Sequence, residues 1–372
     1  MVADITFTKT GCSPGMGHAP KVLMLMTRNQ RRGAESFAAV LAEELLVRGF
    51  AVRLRSLSEA DGAAIPGVET LGGAELAPRT LWRLRREIFD CDVVVACGSR
   101  TLPASVIAGA RTGRPIIYQN IGDPIYWAGS FYRRLRVRSL LRHTAAVAAL
   151  TEQSAAVLNS RFGVPHSQIR VIRNARRSTV FKPATPNEKA MARTRLGLAP
   201  DHAVVAVVGA LSPEKRIDVA VSAIARLPNQ VRLVIAGDGP LRAELQDQAD
   251  RQIPGRVSFL GPVKDLPELL WASDVLLLTS TTEGVPGVLI EAGLSGLPVV
   301  STDVGYVRDV VASEATGYLV PEGDDVAVAA ALEKALEKAP QLGRAARRHC
   351  LERFDMSQVS DDWARLIRAV LA

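Results

Sequence analysis

The chain has 372 residues, 48% hydrophobic, 23% charged and 5% aromatic, with a formal net charge of +8. That length is too great for one ordinary domain and comfortable for two, and the composition is globular. No apolar run is long enough to cross a bilayer, and no apolar leader core occupies the first twenty residues, so a cytoplasmic location is expected.

Cys12, Cys91, Cys97 and Cys350 show no metal-ligand spacing, and His18, His143, His166, His202 and His349 form no cluster, which disfavours a zinc site. Cys91 and Cys97 bracket an apolar strand and read as reduced core thiols. The positive balance fits anionic substrates or an anionic membrane surface. Nucleic acid is set aside, because the basic run lacks interleaved stacking aromatics and no nucleic-acid module is present.

Met1–Pro20, with Gly11, Pro14, Gly15, Gly17 and Pro20, reads as a flexible tail. Strand Lys21–Met26, helix Glu35–Arg48, strand Ala51–Leu57, a helix near Thr80–Phe89 and strands Cys91–Cys97, Pro115–Gln119 and Ala145–Leu150 follow. This alternation predicts βαβ units and a parallel sheet. Within it, Phe131–His143 (F-Y-R-R-L-R-V-R-S-L-L-R-H) is a basic helix with Leu135, Leu140 and Leu141 placed to face inward. Its arginines are either a solvated face or a surface resting on anionic lipid.

The pattern restarts at Ala203–Val208 and continues through Val231–Ala236, Val257–Leu260, Val275–Leu278 and Val299–Val300. Arg173–Glu188, rich in Arg, Pro, Thr and Asn, is the predicted hinge. The expected organisation is a 1–20 tail, a first α/β domain at 21–182 and a second at 183–354. A last helix at 355–372 follows. Two doubly wound sheets of this kind would bind ligands beyond the carboxyl ends of their strands.

The loop Glu283–Glu291 (E-G-V-P-G-V-L-I-E) carries the sharpest chemistry. Glu283 lies in the loop, Pro286 suits the first helical position and Glu291 falls more than a turn into the helix. The first N–H groups of that helix lack intrahelical partners, so the amides near Gly284, Val285 and Gly287 would favour a phosphate, and the carboxylates would accept sugar hydroxyls. In Val208–Asp218 (V-G-A-L-S-P-E-K-R-I-D) a strand ends at Gly209, a helix is expected near Ser212–Pro213, and Lys215 sits against the helix dipole. A diphosphate nearby would offset that penalty. Gly237, Asp238 and Gly239 end another strand with no bulk to obstruct a ligand, though such a turn is also a common tight turn. No G-x-G-x-x-G opening is present, which disfavours NAD.

The run Ser280–Thr302 (S-T-T-E-G-V-P-G-V-L-I-E-A-G-L-S-G-L-P-V-V-S-T) closely resembles the donor-site motif of family 4 retaining glycosyltransferases. The resemblance covers about residues 21–372, closely in the second half and more loosely in the first. It implies the GT-B fold, two facing Rossmann-like domains with a C-terminal crossover helix packing on the first. It also implies transfer from a UDP- or GDP-linked sugar to a glycan, lipid-linked or small-molecule acceptor, with no obligatory metal. In these terms Glu283 holds the donor sugar, Glu291 the ribose, Lys215 and the helix amides the diphosphate, and Val263 in Gly261–Leu266 the base. Gly33, in Gly33-Ala34-Glu35, matches the Gly-rich first loop, with Arg31 and Arg32 beside it.

Departures from the pattern are specific. Ala210 stands where an arginine is usual, and Arg216, where glycine is usual, either replaces it or lies on the surface. No histidine ends the strand at Pro115–Trp127; Asn120, Asp123 and Trp127 fill the acceptor side there, with Tyr126 beside them. Asp123 either receives a proton or holds an acceptor hydroxyl, or only starts a turn before Pro124. In Ile169–Pro183, Asn174, Phe181 and Pro183 match the family linker and Arg173 and Ala175 do not. The rival readings are a non-catalytic GT-B partner protein and a GT-B isomerase or phosphorylase acting on nucleotide or phosphorylated sugars.

Overall fold

Runs of branched and small apolar residues account for most of the strands. The computed structural model describes residues 19–30, 33–59, 64–125 and 130–372, and they divide into two units. The first comprises the chain up to Asn174 together with Met356–Ala372; the second is Ala175–Asp355.

The first unit contains β1 (Lys21–Arg28), α1 (Gly33–Val47), β2 (Ala51–Ser58), β3 (Glu69–Thr70), α2 (Pro78–Phe89), β4 (Val93–Cys97), α3 (Thr101–Gly109), β5 (Ile116–Gln119), α4 (Phe131–Leu141), β6 (Ala146–Ala149), α5 (Glu152–Phe162) and β7 (Ile169–Val171). Its sheet is parallel, in the order β3-β2-β1-β4-β5-β6-β7. Strand β4 (V-V-V-A-C) is buried at every position, as expected of a strand covered on both faces by helices.

The second unit contains α6 (Pro186–Arg195), β8 (Ala203–Val208), α7 (Ile217–Ala225), β9 (Val231–Ala236), α8 (Arg242–Gln252), β10 (Val257–Gly261), α9 (Leu266–Ala272), β11 (Val275–Leu278), α10 (Gly287–Leu294), β12 (Val299–Thr302), β13 (Gly317–Val320), α11 (Asp325–Glu337) and α12 (Ala339–Phe354). Its sheet is also parallel, ordered β10-β9-β8-β11-β12-β13. Each sheet reverses its direction of growth once, between β1 and β4 and between β8 and β11, and such switch points leave a crevice beyond the strand ends.

The last helix, α13 (Met356–Leu371), belongs to the first unit and packs on α1. Arg48 joins the two helices, donating from Nε to Asp361 at 2.7 Å and from Nη2 to the Ser357 carbonyl at 2.8 Å. Trp363 and Ile367, on the inner face of α13, are fully buried. No helix among the described residues is long and apolar enough to cross a membrane.

Local expectations are corrected at several points. Helix α10 starts at Gly287 with Pro286 as its N-cap, one residue later than proline's usual first-turn place suggested. Lys215 does not open an α-helix. It ends a 3-10 turn, Pro213–Lys215, and α7 begins only at Ile217, because Arg216 takes a left-handed φ of 45° that interrupts the helix. In α4 the buried side is set by Leu141, with Val137 and Leu140 packed against the core, while Leu135 is 56% exposed. Leu135 lies two positions before Val137, so a 3.6-residue period turns it away from that face.

Candidate functional site

Beyond the β8–β11 switch point the loops are tied by their backbones. The Thr281 amide donates to the Glu214 carbonyl at 2.8 Å, and the Thr279 hydroxyl donates to the Lys215 carbonyl at 2.9 Å. These bonds hold the segment after β8 against the segment after β11. They bring Lys215 to Glu283: Nζ donates to Oε1 at 2.6 Å, and Ser280 Oγ donates to the same oxygen at 2.7 Å. The carboxylate side chain is 12% exposed and the lysine 26%, so this is a half-shielded pair with a hydroxyl steadying the acid. A charge-assisted bond of this kind fixes orientation as well as charge.

Glycines let the loops approach each other. At Gly237 (φ +145°) an added Cβ would lie 1.8 Å from the Gly209 carbonyl oxygen, so Gly237 is where the loop after β9 rests on the loop after β8. At Gly239 an added Cβ would lie 2.5 Å from the Leu211 carbonyl oxygen, and the Gly237 amide donates to the Gly261 carbonyl at 2.8 Å, drawing in the end of β10. Val263, half-buried, follows in the β10–α9 loop. Asp238 caps its own turn, accepting from the Gly239 amide at 2.9 Å. At Gly305 (φ +54°) an added Cβ would lie 1.8 Å from the Glu283 carbonyl oxygen, so the turn after β12 supports the backbone that carries Glu283.

Glu291 sits in the second turn of α10, its residue 9% exposed, and accepts from Arg176 Nε at 2.5 Å. The Arg176 side chain is 11% exposed and lies alongside Gly287, where an added Cβ would come 1.9 Å from Nη2. Arg216, the alternative cation, forms bonds to Asp218 of 3.1, 3.2 and 3.0 Å, and this neighbouring carboxylate raises its pKa above the ordinary value. Gly284 and Val285 complete the loop into Pro286 and Gly287, with Val285 buried. The structure therefore places Gly209, Lys215, Gly237, Asp238, Gly239, Val263, Glu283–Gly287 and Glu291 in the segments that follow the carboxyl ends of β8, β9, β10 and β11, and turns the Arg216 head toward Asp218.

Arg176, Ser280 and Gly305 escaped the reading of the sequence. Ser280 stood inside the quoted motif, but Arg176 lies 115 residues from its partner Glu291, and no local spacing signals such a pair.

The other candidates lie in the first unit. Gly33 opens α1. A cavity of about 430 Å³ lies beyond the β1–β4 switch point, lined by Arg28, Glu35, Gly98, Ser99 and Gly122 among others. Cys97, also at its wall, is no nucleophile there, because burial pushes its thiol up to about 12. Asn120 is fully buried, its Oδ1 and Nδ2 without hydrogen-bond partners among the described residues. Asp123 accepts from the Ile125 amide at 2.9 Å, the geometry of a turn around Pro124. Arg31, Arg32, Tyr126 and Trp127 lie outside the described residues.

Residues 31–176 match the model of Glycosyltransferase Family 4, and residues 188–349 match that of Glycosyl transferases group 1. Over 227 residues the chain is 32% identical to a 2-deoxystreptamine glucosyltransferase of Streptomyces kanamyceticus, a stretch that is 58% of each protein. Over 146 residues it is 42% identical to a D-inositol 3-phosphate glycosyltransferase of Mycobacteroides abscessus, covering 37% of this chain and 32% of that one. The matched stretches thus span less than two thirds of these relatives. Among solved structures, Anabaena HepE in complex with UDP-glucose superimposes with a TM-score of 0.82 at 25% identity, covering 94% of this chain and 99% of HepE. The two models match in tandem along the chain, and the same fold recurs over nearly its whole length; the protein belongs to the GT-B glycosyltransferases of group 1 and family 4.

Proposed function

We propose that the protein moves a sugar from a nucleoside-diphosphate sugar to a hydroxyl acceptor with retention of anomeric configuration. The observation that carries this reading is the Lys215–Glu283–Ser280 cluster, held by paired loops at the β8–β11 switch point. The second unit is the donor side and the first the acceptor side. Relatives named for 2-deoxystreptamine and D-inositol 3-phosphate support a small-molecule acceptor, and HepE, solved with UDP-glucose, supports UDP over GDP as the first donor to try.

The chemistry is electrostatic. Lys215 and the amides entering α10 face the diphosphate and stabilise the charge that grows there as the bond from the sugar's anomeric carbon to the phosphate oxygen breaks. The acceptor oxygen bonds to that carbon from the leaving-group side, and its proton passes to an oxygen of the departing diphosphate. Glu283 accepts from donor-sugar hydroxyls and Glu291 from the ribose, each as a charged acceptor. Gly237–Gly239 leave room for the nucleotide to approach, and Val263 lies by the base. Asn120, Asp123 and Trp127 serve the acceptor side, Asp123 orienting its hydroxyl.

The test is thermal melting of the protein with UDP, GDP and a panel of nucleotide sugars, followed by product analysis with NMR assignment of the new anomeric bond. A ligand that binds only the folded state raises the melting temperature by mass action. No shift with any nucleoside diphosphate at millimolar concentration would remove the donor site, and an inverted product would remove the retaining mechanism.

A further inference from the structure

A charge count around α10 exposes a shortfall. Lys215 is neutralised by Glu283 at 2.6 Å, and Glu291 adds a second carboxylate a turn into the helix. Those three groups sum to −1, a poor receptor for a diphosphate that brings two or more negative charges of its own. Arg216 donates its Nε and Nη2 to Asp218. Its Nη1 lies on the side of Gly323, 3.8 Å from where a Cβ there would stand.

Arg176 brings that sum to zero. The Ala175 carbonyl accepts from its Nη1 at 2.8 Å and Glu291 from its Nε at 2.5 Å, which lays the guanidinium along the first turn of α10 with Nη2 over Gly287. Any side chain at Gly287 would displace it, since the added Cβ would stand 1.9 Å from Nη2. The backbone that carries it is fixed as well: the Arg176 amide donates to the Phe354 carbonyl at 3.0 Å, and residue 176 bridges to Asp355. A guanidinium suits this place better than an ammonium, because its planar fork can keep one edge on a carboxylate while another donor meets a phosphate oxygen.

We propose that Arg176 is the second cation of the diphosphate site, keeping Nε on Glu291 and giving Nη2 to a phosphate oxygen of the bound nucleotide. This rests on the donor-site reading above. It gives the linker residue a role in substrate binding and assigns Glu291 two tasks, orienting Arg176 and meeting the ribose.

The experiment compares uridine and UDP binding by calorimetry, so that contacts to base and ribose cancel in the ratio of the two affinities. In Arg176→Met that ratio should fall about ten- to a hundredfold, the worth of a hydrogen bond between charged groups. Arg176→Lys should fall between Arg176→Met and wild type. Gly287→Ala, which keeps the charge but pushes the guanidinium aside, should lower the ratio as well.

If Arg176 only neutralises Glu291, the double variant Arg176→Met/Glu291→Gln would regain the wild-type ratio, and that result would overturn the assignment. So would an unchanged ratio in Arg176→Met while wild type binds UDP normally, which leaves the donor site itself standing. Should Arg176→Met fail to fold, Arg176→Lys decides, and a wild-type ratio there counts against a forked contact. Wild-type protein that binds no nucleotide would remove both readings together.

Discussion

Gly305→Ala should damage the site from beneath without touching any of its polar groups. The residue has φ +54°, and an added Cβ would lie 1.8 Å from the Glu283 carbonyl oxygen and 2.8 Å from its carbon. The left-handed conformation costs an alanine about 1–2 kcal/mol. A tolerable carbon–oxygen contact is about 3.3 Å, so the Glu283 backbone must retreat by roughly 1.5 Å. Overpacking of this kind adds about 1–3 kcal/mol, for a total of about 2–5 kcal/mol. Gly255→Ala is the control, in the same unit, with φ +69° and nothing within 4 Å of the added Cβ, so it should lose only the conformational part. Urea unfolding of both variants measures the difference. Transfer from UDP-glucose measures the displacement of Glu283, where a shift near 1 Å costs about a hundredfold. Gly305→Ala as stable as Gly255→Ala, with transfer undiminished, would refute the reasoning.

Lys215→Met should weaken UDP binding about ten- to a hundredfold, whereas Glu283→Gln should leave it unchanged or tighten it by releasing the ammonium, and should depress transfer by a similar factor; calorimetry with UDP and an activity assay separate the two, and parallel losses in both assays would contradict the assigned roles. Transfer should survive EDTA, since Lys215 and helix amides are assigned to the leaving group; loss restored by Mg²⁺ or Mn²⁺ would show that assignment wrong. Cys91 and Cys350, with thiols pushed up to about 12 by burial, should resist iodoacetamide at pH 8 until urea unfolds the protein, as peptide mass spectrometry can check. If the arginines of α4 meet a membrane, cosedimentation with anionic vesicles should fall with salt and disappear when Arg133, Arg134, Arg136 and Arg138 become Gln, with UDP binding intact; wild type that stays in the supernatant at low salt would leave α4 a solvated face.

The central strands were legible because burial on both faces demands unbroken apolar runs. A-V-V-A-V-V at β8, V-L-L-L at β11 and V-V-V-A-C at β4 can hardly be anything else in an alternating chain. The strands that escaped are short and sit at sheet edges: Glu69–Thr70, Ile169–Val171 and Gly317–Val320. An edge strand pairs on one side only and needs no long apolar run, so β7 was absorbed into the expected linker. Helix starts were legible only approximately. Pro213 suggested a first turn, but the left-handed Arg216 behind it divides that turn from α7, and no spacing rule announces a positive φ at an arginine.

The candidate site divides along the same line between local and distant contacts. Glu283, Pro286 and Glu291 belong to one short motif whose strand, loop and helix follow from sequence order, so their placement on a loop and a helix could be read directly. What surrounds them comes from elsewhere in the chain: Lys215 is 68 residues away and Arg176 is 115. At Ala210 the sequence lacks the usual arginine, and Arg216 stood either as its replacement or as a surface residue. In the fold the Arg216 guanidinium donates to a carboxylate two residues on, at Asp218. A long-range reason favours Arg176: the residues flanking it, Ala175 and Arg177, give no hint of the contact, and only the fold carries the linker past α10. A motif can therefore report which charges a site contains within one loop, but its net charge is a property of the assembled loops beyond the strand ends. The sum of Lys215, Glu283, Glu291 and Arg176 can be taken only once the loops have been placed.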